Sequence, residues 1–148
     1  KQAGVAGAIV PDLLVEEAPE FAAICEREDF SLIQLVTPTT PRDRALRICE
    51  TTSGFLYYVS VTGITGARQE LPPEVVDQVG SLKAETELPV CIGFGISQAE
   101  QVKMLSQVAD GIIVGSAIVK RVASAAEIGK TAALENIRTF AQELVAAL

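Results

Sequence analysis

The chain has 148 residues, 49% of them apolar and 21% charged, with a formal net charge of −7 and no histidine. An acidic balance disfavours a nucleic-acid partner, which needs a basic footprint. The apolar runs break off well short of the roughly 18–20 residues that cross a bilayer.

With no basic segment ahead of an apolar stretch, these residues are expected to be soluble and to carry no secretory signal. Cys25, Cys49 and Cys91 lie far apart in apolar surroundings, without a C-x-x-C pair or a histidine. That pattern argues against a metal site and for buried free thiols in a reducing compartment.

The first short apolar run, 7–10, reads as a strand, and 17–26 follows as a helix with Phe21, Ile24 and Cys25 on one stripe and Pro19 in its first turn. A second run covers 31–36. Thr40 then stands as a cap before Pro41, with Asp43 three residues on and Ala45, Leu46 and Cys49 as the apolar side. The run 55–60 precedes a helix opened by Pro73, in which Val76, Val79 and Leu82 recur at helical spacing. The run 89–92 leads into Ser97-Gln98-Ala99-Glu100, which reads as a capping box ahead of Val102, Leu105 and Val108. After the run 111–114, Gly129 ends one short element and Thr131 opens the last helix, with Leu134, Ile137, Ala141, Leu144 and Leu148 on one face.

This alternation of strand and helix, with no Pro/Gly-rich linker, predicts parallel strands joined by right-handed helical crossovers. Two architectures satisfy it: an open doubly wound sheet, or part of a closed eight-stranded barrel. No initiating element precedes the first strand, so the expectation is the C-terminal portion of a longer single domain spanning 1–148.

Three glycine-bearing segments follow predicted strands: Gly63 to Ala67, Gly93-Phe94-Gly95-Ile96-Ser97, and Gly115-Ser116-Ala117. All fall at the strand ends where either architecture binds ligands. Glycine exposes backbone N–H groups, and a helix start aims them at an anion. Gly66, Gly95, Gly115 and Ser116 therefore form a candidate cradle for a phosphate monoester on a small metabolite. The alternative is that they are ordinary turn residues. Neither a Walker pattern nor a G-x-G-x-x-G fingerprint is present, which weakens nucleotide readings.

In order along the chain, GAIVPDLLVEE, LIQLVTPTTP, GFLYYVSVTGITGA, GFGIS and DGIIVGSAIVK resemble the C-terminal half of the tryptophan synthase alpha subunit family, over essentially all 148 residues. The resemblance implies a (β/α)8 barrel, here incomplete with about five β-α units. It also implies a lyase that cleaves indole-3-glycerol phosphate to indole and glyceraldehyde 3-phosphate by a retro-aldol reaction.

No cofactor or metal is implied in this chain. Pyridoxal phosphate is expected in a partner beta subunit of an alpha-beta-beta-alpha assembly, in the cytoplasm or, in a plant, the plastid stroma. The family's catalytic glutamate and aspartate precede the stretch that resembles this chain, so the 148 residues alone are expected to be inactive.

Carried over residue by residue, the resemblance makes Tyr57 an active-site tyrosine and Thr65 a partner of the catalytic aspartate. Asp12 becomes a supporting strand-end acid, and Phe94 and Gly93 line the pocket. It gives Gly66, Gly95, Gly115 and Ser116 the phosphate. Packing alone also explains Tyr57, Tyr58 and Phe94, a loop-tying role explains Asp12, and relief of crowding explains Gly93. The Thr37-to-Pro41 stretch is expected to border the beta subunit, although a rigid helix entry accounts for the same letters. Other phosphate-binding barrel enzymes of amino-acid or thiamine biosynthesis, and a non-catalytic phosphate-binding half-barrel, are the competing functions.

Overall fold

The computed structural model describes residues 1–60, 73–93 and 95–148. Strand β1 (Gly7–Ile9) leads to helix α1 (Ala18–Arg27), β2 (Ser31–Ile33), β3 (Leu35–Val36), α2 (Arg42–Thr51) and β4 (Leu56–Val59). Helix α3 (Pro73–Glu85), β5 (Val90–Gly93), α4 (Ala99–Leu105) and β6 (Gly111–Ile113) follow. Three helices, α5 (Ser116–Ala123), α6 (Ala125–Ile128) and α7 (Lys130–Val145), complete the chain. None of the described helices is long and apolar enough to cross a membrane.

All pairings are parallel, with β1 beside β2 and the order β3-β4-β5-β6 in the other sheet. The apolar run 31–36, read as one strand, is divided at Gln34, where it changes partner. Ile33 still accepts a hydrogen bond from the Val10 amide, whereas Gln34 accepts one from the Tyr57 amide. Gln34 is buried, and its Nε2 donates to Thr51 Oγ1 at 2.8 Å and Thr52 Oγ1 at 3.2 Å. A polar side chain in this position is tolerated because it ties down the C-terminal turn of α2.

Registers Val36↔Tyr58 and Tyr58↔Ile92 put three fully buried residues in one row. That row joins Ala45, Val79, Leu105, Ala117 and Phe140 from the helices in a single core. The adjacent row, Leu35↔Tyr57↔Cys91↔Gly111, points the opposite way and is half-buried throughout. Helices thus cover one face of the sheet and leave the other uncovered. This is the construction of a barrel wall; a doubly wound sheet carries helices on both faces.

Several helical faces differ from the sequence reading. Phe21 and Ile24 are 49% and 44% exposed, because α1 meets β2 and α2 through the side that carries the fully buried Ala18. On α2 the buried pair is Ala45 and Ile48, with Leu46 and Cys49 at the margin. Val75 replaces Val76 on α3, and Ala133, Phe140 and Leu144 form the inward face of α7, leaving Leu134 and Leu148 outside. Periodicity sets the spacing of an apolar stripe, but the phase is chosen by what it packs against.

The cap of α4 is displaced by one residue from the expected box. Gln98 is the N-cap, and Gln101 Oε1, in place of a Glu100 carboxylate, accepts from the amides of Ser97 at 2.8 Å and Gln98 at 3.1 Å. Thr40 precedes Pro41, the N-cap of α2, and its Oγ1 accepts from the Thr37 amide at 2.9 Å. Its hydroxyl therefore closes the preceding turn and does not cap the helix.

At the N-terminal rim, Asp110 joins three elements. Its Oδ2 accepts from the Val90 amide at 2.9 Å, and its Oδ1 lies 2.7 Å from Lys83 Nζ on α3. The Lys83 hydrogen bond, then that from the Val90 amide, hold the carboxyl below its ordinary value. A depressed folded-state pKa stabilises the fold above the unfolded carboxylate range near ~3.9, and that contribution is lost as pH falls through the folded value. Asp110→Asn should cost about 1 kcal/mol after discounting for solvent screening. The difference in denaturant midpoint between D110N and the parent should be full at neutral pH and shrink on acidification.

Candidate active site

The site is built from the C-terminal ends of β4, β5 and β6. Alternation along β4 buries Leu56 and Tyr58 against the helices and sends Tyr57 to the uncovered side. Tyr57 aligns with Cys91, and Val59 with Gly93, so the Tyr57 ring reaches Gly93 diagonally, toward the rim. Burial raises the Tyr57 pKa, and the phenol is a neutral hydrogen-bond donor at physiological pH.

Gly93 is where this geometry is tightest. A Cβ placed there would lie 2.8 Å from the Tyr57 hydroxyl oxygen, 2.8 Å from Ile113 Cβ and 3.0 Å from the Ile113 carbonyl oxygen. Its bare backbone makes room for the tyrosine hydroxyl on one side and the neighbouring strand on the other. One row deeper, Cys91 Sγ occupies the corresponding space at Gly111, 2.7 Å from where a Cβ would stand. Burial, and then the charge of Asp110, push the Cys91 thiol pKa up, so it sits there as a neutral packing group.

Gly95 and Gly115 each come two residues after the paired Gly93 and Ile113, past the ends of β5 and β6. Both are exposed, and among the described residues, chain neighbours aside, no group comes within 4 Å of a Cβ built at either. Gly95 has φ of +73°, a conformation in which a side chain is strained, and its amide direction depends on that turn. Gly115 caps α5, its carbonyl accepting from the Ile118 amide at 2.9 Å and the Val119 amide at 3.1 Å. The first amides of α5, and the exposed Ser116, lie at the helix's positive end.

Of the residues singled out from sequence, Tyr57, Gly93, Gly95, Gly115 and Ser116 share one rim. Asp12 lies on the same side, in the turn after β1, but is separated from them by the 31–36 run. It is exposed there and does not occupy the buried, loop-tying position that was its alternative reading. Thr65, Gly66 and Phe94 lie outside the described residues. Tyr58 is packed at 1% exposure, matching the packing alternative. Ile113 was not singled out, although its place opposite Gly93 follows once strand register is known.

A cavity of about 630 Å³ lies elsewhere, between α1 and α2. It carries Glu26, Asp29 and Glu50, whose charge is of the wrong sign for phosphate. Chemistry, not volume, therefore marks the glycine rim.

The family model for the tryptophan synthase alpha chain matches residues 1–148. The alpha chain of Rhodopirellula baltica is 61% identical over 142 residues, covering 96% of this chain and 51% of that protein. That of Methanocaldococcus jannaschii is 51% identical over 120 residues, covering 81% of this chain and 43% of that protein. The chain spans about half the length of the curated relatives it matches.

Among solved structures, a chain of the tryptophan synthase a2b2 complex from Pyrococcus furiosus superposes with a TM-score of 0.84 at 36% identity, over 98% of this chain and 57% of that one. The architecture is part of a (β/α)8 barrel. Uncovered inner face, glycine rim, and sequence likeness over its whole length agree: the chain belongs to the tryptophan synthase alpha chain family.

Proposed function

We propose that these residues are the phosphate-binding, pocket-forming part of an alpha-type lyase that cleaves indole-3-glycerol phosphate to indole and glyceraldehyde 3-phosphate. The observation that carries this reading is Tyr57, held against Gly93 directly beneath the Gly95 and Gly115-Ser116 turns. A donor hydroxyl on the inner face of the sheet, with glycine turns and a helix start beyond it, fits a substrate with an aromatic body and a phosphate end.

In this reading Gly95, Gly115 and Ser116, with Gly66, hold the phosphate, and Phe94 walls the pocket. Tyr57 positions the substrate or a catalytic carboxylate. Thr65 contacts the catalytic aspartate, and Asp12 supports the loops near the partner.

Retro-aldol cleavage protonates the indole ring carbon, breaks the carbon–carbon bond to the glycerol phosphate and removes a proton from the hydroxyl that becomes the aldehyde. A paired acid and base must serve the two ends of that bond. The neutral Tyr57 phenol does not supply a carboxylate pair, and in this reading the pair comes from outside these 148 residues, which form one part of a single barrel domain. The partner is a beta subunit, pyridoxal phosphate belongs to that partner, and the setting is cytoplasmic or, in a plant, the plastid stroma.

The deciding assay is indole release from indole-3-glycerol phosphate. The full-length gene product should turn over, and the 148-residue chain alone should not. Appreciable turnover by the short chain would refute the assignment of the acid and base to other residues.

In the full-length protein, Ser116→Ala should raise KM several-fold, about 1 kcal/mol for one hydrogen bond to phosphate, with little change in kcat. A lowered kcat at constant KM would remove Ser116 from the phosphate site.

Gly93→Ala should lower kcat/KM by about tenfold or more, since displacement of a positioned group by a fraction of an ångström is costly. Tyr57→Phe in the same chain vacates the space of the hydroxyl and should recover part of the lost folding stability, measured by thermal melting, the crowding against Ile113 remaining. An additive loss in the double variant would show that the two do not collide.

A further inference from the structure

Tyr58, the outward neighbour of Tyr57, buries a phenol whose hydroxyl requires a partner. That partner is Gln78 on α3: the Tyr58 hydroxyl donates to Gln78 Oε1 at 2.5 Å. Gln78 uses its other arm as well, Nε2 donating to the Pro38 carbonyl at 3.1 Å. One side chain therefore spans from β4 to the Thr37-to-Pro41 turn after β3.

The turn has its own internal bonds, Thr40 Oγ1 accepting from the Thr37 amide and the Thr40 amide donating to the Thr37 carbonyl at 2.9 Å. These bonds tie the two ends of the turn to each other. A small cavity of about 160 Å³, lined by Thr37, Thr40, Tyr58, Gln78 and Ser81, lies beside this chain of bonds. The cavity leaves part of the turn unpacked on this side, and the Gln78 hydrogen bond to Pro38 is a contact that holds it.

Tyr57 and Tyr58 share a peptide bond and point to opposite faces. A rotation of the end of β4 that carried the Tyr57 hydroxyl off Gly93 would also pull the Tyr58 hydroxyl off Gln78.

We infer that Gln78 is a positioning residue, which couples the Thr37-to-Pro41 turn to the strand that presents Tyr57 to the substrate. Burial pushes the Tyr58 pKa up to about 12, so the phenol remains a donor to Gln78 across the working pH range. Gln78 touches no reacting group itself; it acts through Tyr58 and the β4 backbone. The inference rests on the lyase reading above, because its effect is expressed through Tyr57.

The experiment uses the full-length gene product and follows indole release from indole-3-glycerol phosphate. Tyr58→Phe cuts the strand side of the link and keeps the ring. Gln78→Glu retains an acceptor for Tyr58 but removes the donor to Pro38. Each should lower kcat roughly three- to tenfold with KM within about twofold, the size expected for losing one buried hydrogen bond that positions a group. Because both cut the same chain of bonds, the double variant should be no slower than the slower single one.

Gln78→Met cuts both arms without adding a charge; it stands in for Gln78→Glu if that variant does not fold, and is judged by the same criteria. Unchanged kcat in folded variants, a lowered melting temperature alone, or losses that multiply in the double variant would each overturn the inference. A parent protein that releases no indole would instead overturn the lyase reading.

Discussion

The organising constraint is that one face of a parallel sheet is covered by helices and the other is not. Covering one face fixes which residues of each strand are core: Val36, Tyr58 and Ile92 go under the helices, and Leu35, Tyr57 and Cys91 go to the inner side. Because every pairing is parallel, all strand C-termini emerge on one rim, and the loops that follow them are collected there whatever their separation in sequence. A one-residue slip in any of these registers would exchange the two faces and send Tyr57 into the core.

The two rims have different work. On the N-terminal side, Asp110 binds a strand amide and a helical lysine, which fastens β5, β6 and α3. On the C-terminal side the groups are left exposed: Gly95 in a left-handed turn, Gly115 and Ser116 at a helix start. Fastening one rim and exposing the other lets a single fold combine a rigid frame with the edge proposed above to bind phosphate.

Glycine has two separate duties within this edge. At Gly93 and Gly111 it is absence of volume that matters, since the Tyr57 hydroxyl and the Cys91 sulfur occupy the space a Cβ would need. At Gly95 and Gly115 none of the described residues beyond the chain neighbours crowds the position, and in the proposed function the useful property is access to the backbone amides. The pentapeptide from Gly93 to Ser97 thus begins with a glycine that makes room for Tyr57 and includes another whose positive φ turns the chain at the exposed rim. The buried tyrosine–glutamine link on the far side of β4 adds a third element, holding from outside the strand that Gly93 accommodates from inside.

Strand and helix order, the parallel crossovers and the glycine-bearing strand ends were all legible in the sequence, because each depends on local spacing, proline and glycine punctuation and capping residues. So was the division of Tyr57 and Tyr58 between two faces, which follows from a period of two. Resemblance of the ordered motifs carried the family, and the glycines alone suggested an anion site.

Tertiary structure decided what local pattern leaves open. It chose the barrel wall over the doubly wound sheet, since only packing shows which face is covered. It set the phase of each helix, turning Val75 inward in place of Val76 and Phe140 in place of Leu134, because a stripe has no direction until it meets a partner. It also brought Gly93 against Tyr57 and Gln78 against Tyr58, contacts between residues far apart in the chain that exist only through strand register and helix placement.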